Sequence, residues 1–210
     1  YLSSKCSFDK KDKLLARKWL LLTSVHAYFS GSVHSTLDKI IRKLRKKNEA
    51  GMSDLWDITR KSLPRVSADL FDTKRKSGAV MSLYVSYLRN SNAKDWKQGS
   101  RLTGDVVGYN AGLQIHHFFP ESLLRKKGLS SDEINTFANY TIIRKDTNLE
   151  ISNEEPFKYI PRLNIHVKDL KSQCIPEDRD LWKVKNYQEY LKERRKLLTN
   201  RINEYLNKYD

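Results

Sequence analysis

Two consecutive histidines, His116 and His117, lie in the apolar run LQIHHFF at 113–119, which stops at Pro120; asparagines follow at 139 and 148. Asn139 stands just before a second apolar run at 140–143, and Asn148 lies in KDTNLE, where Asp146 marks a helix start. Imidazole can take a proton from water near neutral pH, and the neutral ring can also hold a metal ion. Asparagine offers a neutral oxygen to a cation, or a donor and an acceptor to a backbone. Phosphodiester hydrolysis needs such functions together: a base for the water, a metal to neutralise charge on the phosphate and the leaving oxygen, and a scaffold that holds both close. Neighbouring side chains on a strand point to opposite faces, so one histidine can ligate an ion while the other faces the scissile phosphate. Taken alone, a histidine pair on a strand is more often core packing or plain surface.

The elements that would position these residues can be read from periodicity. Apolar Leu14, Leu15, Trp19, Leu22 and Val25 recur at steps of three and four, which predicts a helix over 9–29. Ser-Gly-Ser at 30–32 breaks it; a second helix follows across Leu37, Ile40, Ile41 and Leu44 and ends in the basic tract 42–47. Shorter helices are expected around 55–62 and 78–88, divided by Pro64. Gly99, Gly104, Gly108 and Gly112 then rule out a continuous helix. Residues 113–119 and 140–143 read as short strands, 121–128 as a helical turn closed by Gly128, and Ser130 with Glu133 as a capping box. From Trp182 onward the apolar spacing predicts a long helix. The expected division is a helical subdomain at 1–98, a core at 99–165 holding the two strands, and a C-terminal helical segment at 166–210.

With 39% apolar and 10% aromatic residues over 210 positions, the chain has enough material for a core. No apolar run approaches the roughly 20 residues of a membrane span, so no membrane partner is expected. Forty Lys and Arg against 25 Asp and Glu leave a net charge of +15, which points to a polyanion such as DNA. Two cysteines, Cys6 and Cys174, give neither a disulfide framework nor a structural zinc site and fit a reducing cytoplasm. The chain opens at Tyr1 rather than Met and is expected to be part of a longer protein.

The pattern I-H-H-F-F-P, then A-N-Y-T-I-I, then R-K-D-T-N-L-E-I-S-N resembles the HNH, or ββα-metal, endonucleases. The resemblance implies a mainly α fold with an embedded ββα-metal motif. It assigns His117 as general base, His116 and Asn148 as metal ligands, and Asn139, with His117 a member of the catalytic set, as the brace of the loop that orients the base. His116 stands where many members have Asp, which implies a weakly held, exchangeable divalent ion: Mg²⁺ first, with Mn²⁺, Ni²⁺ or Zn²⁺ favoured by imidazole.

More broadly, RKWLLLTSVHAYFSGSVHSTLDK, this core and SQCIPEDRDLW with YLKERRKLL look like the C-terminal half of GmrSD-type restriction proteins. That likeness implies restriction of foreign or phage DNA, with an N-terminal ParB-like, nucleotide-handling module elsewhere in the protein. One such site nicks one strand; a double-strand break takes a homodimer or two events.

Lys126, Lys127, Arg144 and Lys145 lie beside the proposed site and are expected to grip phosphates. Lys43, Arg45, Lys46, Lys47 and the tail cluster Arg194, Arg195, Lys196 divide between solvated helix face and DNA track. His26, His34 and His166 read as packed or surface histidines, and Trp96, Tyr109 and Tyr140 as core. The competing readings are a nucleic-acid-binding module that does not cut, and an RNA-cleaving nuclease.

Overall fold

The structure, a computed structural model, describes residues 8–47, 49–73, 78–102 and 112–209. Tyr1, Cys6, Gly104, Gly108 and Tyr109 lie outside the described residues. The fold is mainly helical, with one two-stranded sheet among the described residues, and the chain divides into two compact units: 1–66 with 203–210, and 67–202.

The first unit packs α1 (Lys10–Val25), α2 (Val33–Arg45) and α3 (Met52–Thr59) around Leu15, Ile40, Leu44, Met52 and Leu55. Each start is satisfied locally: Asp9 accepts from the Asp12 N–H, Ser32 from the Ser35 N–H, and Asp54 from the Gly51 N–H. The first helix is shorter than the spacing predicts. The Thr23 and Ser24 hydroxyls bond back to the carbonyls of Trp19 and Leu20, and Ala27 turns to a φ of 49°, so the helix stops at Val25 rather than continuing to residue 29. His26 reaches the Pro64 carbonyl at 2.8 Å, and His34 is exposed.

In the second unit β1 (Leu113–His117) runs antiparallel to β2 (Tyr140–Arg144), with His116 opposite Thr141 and His117 opposite Tyr140. Between them come α5 (Glu121–Lys126) and α6 (Ser131–Ile134), the latter opened by the Ser130–Glu133 capping box. β2 leads directly into α7 (Lys145–Ile151). The remaining helices are α4 (Ala79–Asn90), α8 (Pro156–Arg162), α9 (Val167–Ser172), whose N-cap is the exposed His166, and α10 (Tyr187–Asn207). Phe118 and Phe119 leave the strand and turn into a core with Trp96, Tyr159, Trp182 and Tyr190, where the Phe118 and Tyr190 rings stack at 4.7 Å. β1 therefore ends at His117, not at residue 119. The C-terminal helix starts at Tyr187; 3₁₀ turns at Arg179–Trp182 and Val184–Asn186 occupy its expected first turns.

A strand with one neighbour has backbone groups on its outer edge that must bond elsewhere. On β2 those groups belong to residues 140, 142 and 144, and three buried side chains bond them. Arg194 donates to the Tyr140 carbonyl at 2.6 Å, Gln173 both accepts from and donates to the Ile142 backbone at 3.1 and 2.9 Å, and Asp95 accepts from the Arg144 N–H at 2.7 Å. Arg194 also donates to the Ala138 carbonyl at 2.7 Å. It is fully buried, so it belongs neither to a solvated face nor to a DNA track. Its place on α10 explains this: with Tyr187, Tyr190, Leu191, Leu198 and Ile202 it continues the core-facing stripe. Arg195 pairs with Asp72 at 2.6 Å, and Lys196 is exposed.

Candidate functional site

Strand alternation puts Gln114 and His116 on one face of the hairpin and His117 on the other. α7 covers the first face. Asn148, one turn into that helix, donates its amide N–H to Gln114 Oε1 at 2.8 Å and turns its oxygen to His116 Nδ1 at 2.6 Å. This orientation makes Nδ1 the protonated ring nitrogen and leaves the lone pair on Nε2, a buried atom with no partner among the described residues. His116 is 6% exposed, with the Trp96 ring perpendicular to it at 6.3 Å. Burial pushes its pKa down to about 3, against the Asn148 hydrogen bond, with a smaller lowering from His117; the ring is neutral, the form that ligates metals.

On the other face, Asn135 donates its amide to the Ser131 carbonyl at 2.9 Å, so its oxygen faces the hairpin. There Oδ1 meets His117 Nε2 at 3.0 Å and accepts from the Tyr140 hydroxyl at 3.1 Å. The Tyr140 ring lies 5.0 Å from the imidazole. Two donors on one amide oxygen fix His117 as the Nε2–H tautomer and put its basic lone pair on Nδ1.

Asn139 has no exposed surface. Its oxygen accepts from the Phe119 N–H at 2.9 Å, and its amide donates to the carbonyls of Phe119 and Ile134, each at 3.2 Å. Its own carbonyl accepts from the Phe118 N–H at 2.7 Å. Asn139 therefore staples the end of β1, two residues past His117, to the segment that holds Asn135. It acts on the base through the backbone and is a positioning residue.

Asp95, also fully buried, sets the start of α7. Besides the Arg144 N–H it accepts from the Thr147 hydroxyl at 2.7 Å and from the N–H groups of Lys97 and Gln98 at 3.1 and 3.0 Å. The residue after Thr147 is Asn148, so this carboxylate fixes the helix turn that carries the His116 partner.

The four basic residues expected around the site are divided between its ends. Lys126 and Lys127 are exposed where α5 ends, on the chain leaving β1; Lys127 lines a cleft with Phe157, Lys158 and Lys183. Arg144 and Lys145 lie at the other end of the hairpin, Arg144 opposite Leu113, about 13 Å along the strand from the His117 pair. Lys145 is exposed three residues before Asn148, on the same side of α7.

An ion at this site would be held by His116 and Asn148. One imidazole nitrogen and one amide oxygen, both neutral and meeting at 2.6 Å, fit in type a divalent ion that keeps most of its waters. A hydrogen on Nδ1 now lies between the two atoms, so an ion enters there only where that bond opens and the imidazole proton moves to Nε2. Among the described residues no three His, Cys, Asp or Glu side chains come together as a metal cluster. Also among the described residues, no helix is long and apolar enough to cross a membrane.

Sequence reasoning missed Gln114, Asn135 and Asp95. Gln114 had a signal, the strand period of two that places it beside His116; Asn135 and Asp95 act from loops without a pattern.

No protein-family description matches the chain, and no solved structure matches it. An uncharacterized protein of the archaeon Methanocaldococcus jannaschii is 37% identical over 185 residues, an alignment that takes in 84% of this chain and 29% of that protein. The chain thus spans under a third of the length of the curated relative it matches.

Proposed function

We propose that the chain is a metal-dependent DNA endonuclease of the HNH type. One observation carries the reading: adjacent residues at the end of β1 have opposite, complementary settings, a neutral His116 meeting Asn148 of α7 and a His117 fixed as one tautomer by Asn135. The order strand, strand, helix around them and the +15 charge support the same reading.

His117 Nδ1 takes a proton from water, and the resulting oxygen bonds to phosphorus in line with the 3′ oxygen, which departs with the P–O electron pair and takes a proton from solvent, leaving a 5′-phosphate and a 3′-hydroxyl. A divalent ion on His116 and Asn148, Mg²⁺ first and Mn²⁺ or Ni²⁺ as alternatives, would neutralise charge on the phosphate and the leaving oxygen. Lys126, Lys127, Arg144 and Lys145 hold the phosphates on either side. The setting is cytoplasmic restriction of foreign or phage DNA, with a ParB-like nucleotide-handling module elsewhere in the longer protein and two copies for a double-strand break.

The second reading, a module that binds nucleic acid without cutting, is favoured by the buried His116 and its direct bond to Asn148. Supercoiled plasmid incubated with Mg²⁺, Mn²⁺ or EDTA, beside His117→Ala, separates the two, with structured RNA as a parallel substrate. Open circle that needs both metal and His117 supports the nuclease; retained DNA binding with no conversion under any metal leaves the binding module.

A further inference from the structure

The first unit holds a cleft unconnected with the histidine pair. Its volume is about 760 Å³, within the range of small-ligand sites. Four cations line it, Lys11, Lys18, Arg60 and Arg65, against one carboxylate, Asp57, which already pairs with Arg60 at 3.3 Å. Lys18 is 5% exposed, with its ammonium 4.8 Å from the centre of the Trp56 ring, which also lines the cleft. Between the charges the walls combine apolar Leu22, Leu63 and Pro64 with the amides of Asn203 and Asn207. The excess of cations over carboxylates suits an anion; inorganic phosphate would leave the apolar part of the wall wet, whereas a nucleoside phosphate brings a phosphate for the cations and a flat base for that wall. Guanidinium groups suit phosphate because they can donate in pairs.

We infer that this cleft binds a nucleoside phosphate, either a free mononucleotide or one residue of a single strand. The site is independent of the nuclease reading and lies in the other unit.

Isothermal titration of the intact chain in metal-free buffer tests it with four probes: deoxyadenosine 5′-monophosphate, a deoxyadenosine hexanucleotide, inorganic phosphate and hexaglutamate. The variant is Lys11→Gln with Arg65→Gln; both side chains are exposed, so the fold is kept. The mononucleotide is expected to bind at one site at least ~10-fold more tightly than phosphate, and the double variant to lose ~10-fold or more. Loss for the mononucleotide identifies a free-nucleotide site, and loss confined to the hexanucleotide identifies a strand site. Unchanged affinity of both nucleotide probes in the double variant would overturn the inference. So would phosphate or hexaglutamate binding as tightly as the nucleotides. His117→Ala is expected to leave this binding unchanged while removing any nicking, so the two readings fail separately.

Discussion

Replacing Asn139 by alanine tests whether one buried amide holds the site's frame. The side chain makes three hydrogen bonds, to the Phe119 N–H and to the carbonyls of Phe119 and Ile134, and has no exposed surface. Alanine strands one donor and two acceptors in the interior. Each stranded group costs about 1–3 kcal/mol, and water entering the vacated space brings the total to the lower end, about 3 kcal/mol. With a guanidinium m-value of about 4 kcal/mol/M, the midpoint of unfolding of the second unit falls by about 0.8 M. Trp96 and Trp182 report on that unit, so the measurement is fluorescence-detected denaturation in a background where Trp19 and Trp56 are phenylalanine. A midpoint shift below about 0.2 M would refute the staple, because a bond network worth that little is not holding the strand end. Asn139→Asp sharpens the test. Aspartate keeps an acceptor for the Phe119 N–H but sets a carboxylate against two carbonyls, so its folded-state pKa rises above the unfolded value. The folded state then binds more protons than the unfolded state between the two values, and stability falls as pH rises through that window and returns on acidification. An Asn139→Asp protein equally stable at pH 4 and pH 7 would contradict that placement.

Three further outcomes are expected. Asn148→Ala should shift the metal titration of plasmid nicking to higher concentration by about tenfold, and an unchanged titration would remove Asn148 as a ligand. Neutralising Lys126 and Lys127 together to glutamine should flatten the slope of log affinity for duplex DNA against log salt by about 1.8, so an unaltered slope returns both to plain surface. Asn135→Ala frees His117 to take the other tautomer and should slow nicking about tenfold with DNA affinity retained, about 1.4 kcal/mol at the barrier; a wild-type rate would mean that Asn135 does not orient the base.

What the sequence made legible is what local patterns encode. The two strands, the Ser130–Glu133 box, the helix start after β2 and the opposite facing of His116 and His117 all follow from spacing within a few residues. The partners that finish the site come from far along the chain: Asn135 is 18 residues from His117, and Asp95 is 49 residues from the backbone it holds at Arg144. Nothing in a run of neighbours announces such pairings. Arg194 misled by composition, since Arg-Arg-Lys at 194–196 looks solvated. Its spacing from Tyr190 and Leu198 put it on the core stripe, and periodicity weighed above residue type would have buried it.

The sealing of β2 by Asp95, Gln173 and Arg194 also bears on how the chain is made. On a ribosome, β1 and β2 emerge before two of the three residues that close the outer edge, and Arg194 follows Tyr140 by 54 positions. Until α10 is synthesised the hairpin can pair its strands but not complete its rim, and an open rim is the surface on which nascent chains stick to one another. The unit is then finished last at its C-terminal helix, and a ribosome that stalls before residue 194 would hold a hairpin that depends on chaperones.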